Sequence, residues 1–147
     1  MSYNVFDIAD KIIAASSSQA EVGDVMTNLK LQKLLYYMQG FHLAVFDTPL
    51  FDEDIEAWQY GPVVPLVYHK YKDNGAGAIT TKNEPISLNN DEERLFNQVY
   101  KIYGDFSAVG LMNLTHAERP WKETPVGVGN VVSHDLMKEF FKTRVRK

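Results

Sequence analysis

Residues 28–46, NLKLQKLLYYMQGFHLAVF, constrain the fold more than any other part of this chain. Leu31, Leu34, Leu35, Met38, Phe41 and Val45 fall on one arc about 120° wide at ~100° per residue, the period of an α-helix. Tyr36, Leu43 and Phe46 lie outside that arc. A helix that is apolar on more than one side needs neighbours on more than one side, so it has to be central. Thr27 or Asn28 supplies the oxygen that caps its first turn, and Pro49 with the surrounding acids stops it near Phe46.

The remaining elements are shorter. A helix is predicted from about Asn4 to Ala15, with Val5, Ile8, Ala9, Ile12 and Ile13 inward and Asp7, Asp10 and Lys11 opposite; serines and then Gly23 end it. Ile55 to Tyr60 alternates loosely and reads as a short strand, broken by Gly61-Pro62. Pro65 suits the first turn of a helix running to about Lys72. A second short strand is placed at Ala78–Thr81. Asn90 with Glu93 has the spacing of a capping box for a fourth helix, whose buried face is read as Leu95, Phe96, Val99, Ile102 and Tyr103. Ser107 caps a short helix through Leu114, residues 115–130 read as an ordered loop, and Ser133 caps a last helix with Leu136, Met137, Phe140 and Phe141 inward. The expected fold is mainly α, a single compact helical domain of about six helices over residues 1–147, with a small β element near residues 55–60 and 78–81.

Charge narrows the partners. Residues 138–147 hold five Lys/Arg and one Glu, which leaves residues 1–137 with 10 basic and 18 acidic groups. So acidic a body is poorly suited to a phosphate backbone, which argues against nucleic acid as a partner. Asp47 to Glu56 carries five acids and no base. It reads as a solvated loop or as a landing patch for a basic partner. No apolar run reaches the ~20 residues of a membrane span, and the N-terminus lacks the cationic flank of a signal peptide. With no cysteine in the chain, thiolate chemistry and disulfides are excluded. The cytoplasm is the expected compartment.

Catalytic and cofactor patterns are hard to find. His42, His69, His116 and His134 have no companion ligands at zinc-site spacing, and no metal or cofactor is expected. His42 lies in the apolar arc, where a core histidine bonded to a backbone carbonyl is expected. Ser133-His134-Asp135 are adjacent in sequence and do not converge as a triad would. Gly127-Val128-Gly129 lacks the third glycine of a dinucleotide loop. Aromatic side chains stand out instead: Tyr36, Tyr37, Trp58, Tyr60, Tyr68, Tyr71 and Trp121 are suited both to completing a small core and to anchoring an interface.

Three segments, LKLQKLLYYMQGFHLA, PLFDEDIEAWQYGPVVPLVY and LTHAERPW, occur in this order and spacing. Together they resemble the Panacea domain family of SocA-like antitoxins, which includes phage-associated proteins of the GepA type. The motif positions are Leu31, Gln32, Lys33, Leu34, Leu35, Tyr36 and Tyr37; Ala57, Trp58, Tyr60, Gly61, Pro62 and Val63; and Thr115, His116, Pro120 and Trp121. The resemblance implies the antitoxin of a two-gene toxin–antitoxin module, often carried on prophages, that binds a cognate toxin protein directly. It also implies that some members act as adaptors delivering the toxin to the ClpXP protease. Longer members append a DNA-binding domain, for which this chain has no room. Two readings from other classes stay open. One is a small hydrolase or transferase using His116 with Glu56 or Glu118. The other is a nucleic-acid-binding regulator acting through the basic C-terminal helix.

The docking face expected from the sequence combines Lys33, Tyr37 and Gly40 on a non-core side of the second helix with Asp52 and Glu53 of the acidic loop and Gln59 beside it. The competing expectation is that Tyr37 packs on the last helix and Gly40 makes room for it.

Overall fold

The computed structural model of the chain describes residues 2–18, 26–75 and 77–145. The helix α2 (Asn28–Phe46) is buried at 15 of its 19 positions, so it is the central element the apolar pattern demands. Thr27 is its N-cap and accepts a hydrogen bond from the Lys30 N–H; Asp47, in the left-handed region at φ 62°, ends it. Around α2 pack α7 (His134–Lys142), α4 (Asn90–Tyr103), α5 (Ala108–His116), α1 (Val5–Ser18) and α3 (Pro65–Tyr71). A two-stranded antiparallel hairpin, β1 (Glu56–Trp58) and β2 (Gly61–Val63), lies against it with Ala57 opposite Pro62. A short helix, α6 (Arg119–Lys122), bridges α5 and α7.

The fold is thus mainly α, with seven helices among the described residues. The extra helix comes from residues 115–130, expected as loop: Thr115 and His116 complete α5, and Pro120 in the first turn of α6 starts a new one. Ser107, Ser133 and Pro65 begin helices as expected. Gly23 lies outside the described residues.

Several expectations are corrected by tertiary contacts. The small sheet pairs residues 56–58 with 61–63, and residues 78–81 form no strand. That segment is held by single bonds instead: the Ile79 N–H donates to the Met26 carbonyl (2.7 Å), and the Thr81 hydroxyl to Asp10 (3.1 Å). Asp10 and Lys11 are therefore buried rather than solvated, Lys11 reaching the Ile86 carbonyl at 2.6 Å and Glu93 at 2.7 Å. The capping box of α4 is Asn89 with Glu92, one residue earlier than its expected register. Glu93 is spent on the Leu88 N–H and on Lys11. Within α4, Phe96 and Val99 are buried with Tyr100 and Glu92, whereas Ile102 is exposed.

The packing of α7 on α2 explains Gly40. A Cβ at this position would come within 2.1–2.9 Å of the Phe141 ring on α7. Intrinsic propensity alone makes Gly→Ala in a helix stabilising by ~1 kcal/mol, but overpacking a core costs ~1–3 kcal/mol and more when the neighbour is a rigid ring. Gly40→Ala is therefore expected to lower the melting temperature by several degrees, and Phe141→Leu in the same chain to recover part of the loss. Thermal denaturation of the single and double variants reads this directly. A Gly40→Ala protein that melts higher than the parent would show that α7 is free to move away.

Candidate functional site

The three motif segments converge on the hairpin. Gly61 opens β2 at φ 110°, a conformation that side-chain-bearing residues rarely adopt. A Cβ there would also meet Lys33 Cε at 2.6 Å and Thr115 Oγ1 at 2.8 Å, so glycine is required on both counts. From α2, Gln32 accepts the Val64 N–H at 2.9 Å and Lys33 donates to the Pro62 carbonyl at 3.0 Å. From the other side, the ring Nε1–H of Trp121 donates to the Trp58 carbonyl at 2.8 Å, and His116 Nε2 lies 3.1 Å from the Gln59 carbonyl. The His116 and Trp121 rings pack at 4.2 Å. Pro120 is buried at the start of α6. The motif side chains thus hold the backbone of one tight turn, and its tip residues, Gln59 and Tyr60, stand exposed.

The tyrosine pair has a different partner. The hydroxyls of Tyr36 and Tyr37, both fully buried, donate to the two oxygens of Glu118 at 3.0 and 2.9 Å. Tyr37 stacks on Tyr103 at 4.0 Å and meets Phe141 edge-on. Burial outweighs these hydrogen bonds and raises the Glu118 carboxyl to about 7, and burial likewise raises the tyrosine hydroxyls well above their ordinary range. Lys33 is 0% exposed and makes its hydrogen bond to a carbonyl rather than to a carboxylate; burial lowers its amine to about 7.

This geometry revises the expected docking face. Lys33, Tyr37 and Gly40 are in the core, because α2 is covered on every side at these positions; Tyr37 packs on α7 and Gly40 makes room for Phe141. Leu34 and Tyr36 are core residues as well. Asp52 and Gln59 are exposed, and Glu53 is half-buried with Oε1 lacking a hydrogen-bond partner. Val63, the last residue of β2, is buried. His116 is not brought together with a carboxylate. Glu118 faces the two tyrosines, and Glu56 accepts from Trp58 Nε1 at 2.9 Å and from the Gly129 N–H at 2.7 Å. His42 lies in the core as expected, its ring nitrogens 2.5 Å from the Thr48 carbonyl and 2.6 Å from Glu92. Among the described residues no cluster of three His, Asp or Glu side chains stands where it could hold a metal ion, and no helix is long and apolar enough to cross a membrane.

Beside the hairpin lies a concavity that neither the periodicity nor the motifs predict. A groove of about 850 Å³ opens between the hairpin tip, the start of α2, the start of α5 and the loop 126–128. The signal for it was the pair Val126 and Val128 in a Gly-rich turn, where apolar residues have no periodic reason to be.

A mainly α domain whose LQKLLYY helix, AWQYGPV hairpin and THAERPW segment lock into one latch is the class of structure the motifs define. The family described as antitoxin SocA-like, Panacea domain, matches residues 31–122, and this chain belongs to it. It is similar to antitoxin SocA of Caulobacter vibrioides (strain NA1000 / CB15N), 30% identical over 136 residues that cover 80% of this chain and 72% of that protein. No solved structure gives a significant match.

Two of the buried ionisable groups, Glu118 and Lys33, shape the pH dependence of folding. Between about pH 4.5 and 7 the native protein keeps the Glu118 proton that the unfolded chain has released, so stability falls as pH rises through that window. Between about pH 7 and 10.5 the unfolded chain holds the Lys33 proton that the native state has given up, so stability rises again. Each slope approaches ~1.4 kcal/mol per pH unit. Melting curves at pH 5, 7 and 9 are expected to show a neutral minimum from this pair. Glu118→Gln should flatten the acidic limb and Lys33→Met the alkaline limb; unchanged profiles in both variants would refute this assignment.

Proposed function

We propose that this protein is a non-catalytic antitoxin that neutralises a cognate toxin protein by binding it directly. The observation that carries the reading is the way the motif side chains are spent. Gln32, Lys33, His116 and Trp121 bond to hairpin backbone, and Tyr36 and Tyr37 to Glu118, so the motif builds a rigid frame rather than an open reactive cleft. What the frame offers outward is surface, which suits recognition of another protein. Its family membership supports an antitoxin role, and its similarity to antitoxin SocA supports the same role. Of the docking residues expected from the sequence, Gln59 at the hairpin tip and Asp52 in the acidic loop are exposed and remain available to a partner, while Glu53 is half-buried. Delivery of the bound toxin to ClpXP would be a further use of the same complex.

Co-expression with the protein encoded beside it tests the proposal. The neighbour alone is expected to arrest growth, co-expression to relieve the arrest, and the two proteins to co-purify. Asp52→Lys, at an exposed position of the acidic loop, is expected to leave the melting temperature unchanged and to weaken relief. Relief that disappears in a host lacking ClpX would assign the effect to degradation rather than to sequestration. A neighbour that is harmless alone, or that stays toxic beside the wild-type protein, overturns the reading.

A further inference from the structure

Six large apolar side chains among the described residues are more than half exposed, and four of them, Tyr60, Val109, Val126 and Val128, line the groove beside the hairpin. They come from three separate segments: the hairpin tip, the first turn of α5 and the loop before the last β-bridge. Val128 stands 84% exposed at the tip of that loop. Isolated exposed valines are ordinary, but convergence of several on one concavity marks a binding surface. The volume, about 850 Å³, accommodates several side chains of a partner. Because the rim side chains remain more than half open to solvent, the groove suits a protein segment laid across it rather than an enclosed small molecule.

The charge of the groove is opposite to that of the chain. The protein carries a formal −4, yet the groove lining holds no Asp or Glu and presents one exposed cation, Lys72. Lys72 is exposed at the rim. Lys33 lies beneath the hairpin with its amine bonded to the Pro62 carbonyl rather than to a carboxylate. A basic segment would gain nothing here, and an uncharged one would leave the Lys72 charge unanswered at the rim. An acid would add an ion pair at the edge of an apolar contact, where complementarity directs approach and register.

We propose that this groove is the toxin-docking site and that it takes a segment presenting branched or aromatic side chains next to an Asp, Glu or terminal carboxylate. The apolar side chains seat among Tyr60, Val109, Val126 and Val128, and the carboxylate meets Lys72. The proposal rests on the direct-binding antitoxin reading and adds the surface and the chemistry of its partner.

A random twelve-residue peptide library displayed on phage and panned against the immobilised full chain tests the chemistry without knowledge of the toxin. Enriched peptides are expected to combine apolar residues with an Asp or Glu. A synthetic peptide of the enriched type is expected to bind at least tenfold more weakly to Val109→Asp with Val128→Asp, and to Lys72→Glu with a smaller salt dependence. These positions are exposed, so melting temperatures should stay at the parental value. Enrichment of basic or purely neutral sequences, no enrichment, or binding indifferent to the groove variants overturns the proposal. So does self-association of the wild type that the valine variants abolish, which would make a second copy the occupant. In the growth assay the valine pair is expected to lose relief. Relief that persists in these variants sinks the groove and leaves the antitoxin reading standing, whereas absence of relief by the wild type sinks that reading itself.

Discussion

Six polar side chains, Asn28, Lys30, Gln32, Lys33, Gln39 and His42, are buried along α2. Each would cost ~1–3 kcal/mol if left without a partner. Their bonds therefore dictate where the neighbouring segments run. Asn28 donates to the Tyr68 carbonyl and Lys30 to the Gly104 carbonyl, which ties down α3 and the end of α4. Gln32 and Lys33 hold the hairpin. Gln39 accepts the Leu50 N–H and donates to the Phe51 carbonyl, and His42 reaches both the Thr48 carbonyl and the cap of α4. The apolar residues of α2 supply most of the buried area, but area is non-directional. Position comes from this ladder of amides, amine and imidazole.

Glu118 and Lys33 illustrate what such a design costs. An acid held by two tyrosines and an amine held by a single carbonyl are both expensive to bury. Neither is the cheapest way to fill its volume. Glu118 joins the start of α6 to two adjacent rungs of α2, and Lys33 joins α2 to the backbone of β2. These two bonds fix the angle at which the motif segments meet, which apolar packing alone would leave degenerate.

The central helix was legible because its apolar residues appear on more than one side, a pattern with few structural solutions. Helix starts at Thr27, Pro65, Ser107 and Ser133 were legible because capping and ring constraints are local. What failed was whatever a distant contact decides. Two acids in succession, Glu92 and Glu93, offer two equivalent capping registers, and His42 and Lys11, far away in sequence, choose between them. Lys33 and Tyr37 looked like surface residues because their side chains are polar or amphipathic; their partners, Pro62 and Glu118, are 29 and 81 residues away. The motif residues were recognisable as a set, but their role as a latch required seeing the hairpin they close.

The hairpin has one more property that bears on how a partner can bind. Along β1, the Ala57 N–H and carbonyl are bonded to Asn130 and Gly127 on the side away from β2. On the far side of β2, the Pro62 carbonyl is taken by Lys33, the Val64 N–H is taken by Gln32, and proline offers no N–H of its own. Both margins of the sheet are therefore capped by the protein itself. A partner cannot recognise this hairpin by adding a strand to it, a mode in which main-chain bonds tolerate many sequences. Recognition is confined to side chains, so the fit of any partner here depends on its sequence, and the sheet is closed to the edge-to-edge pairing that drives aggregation.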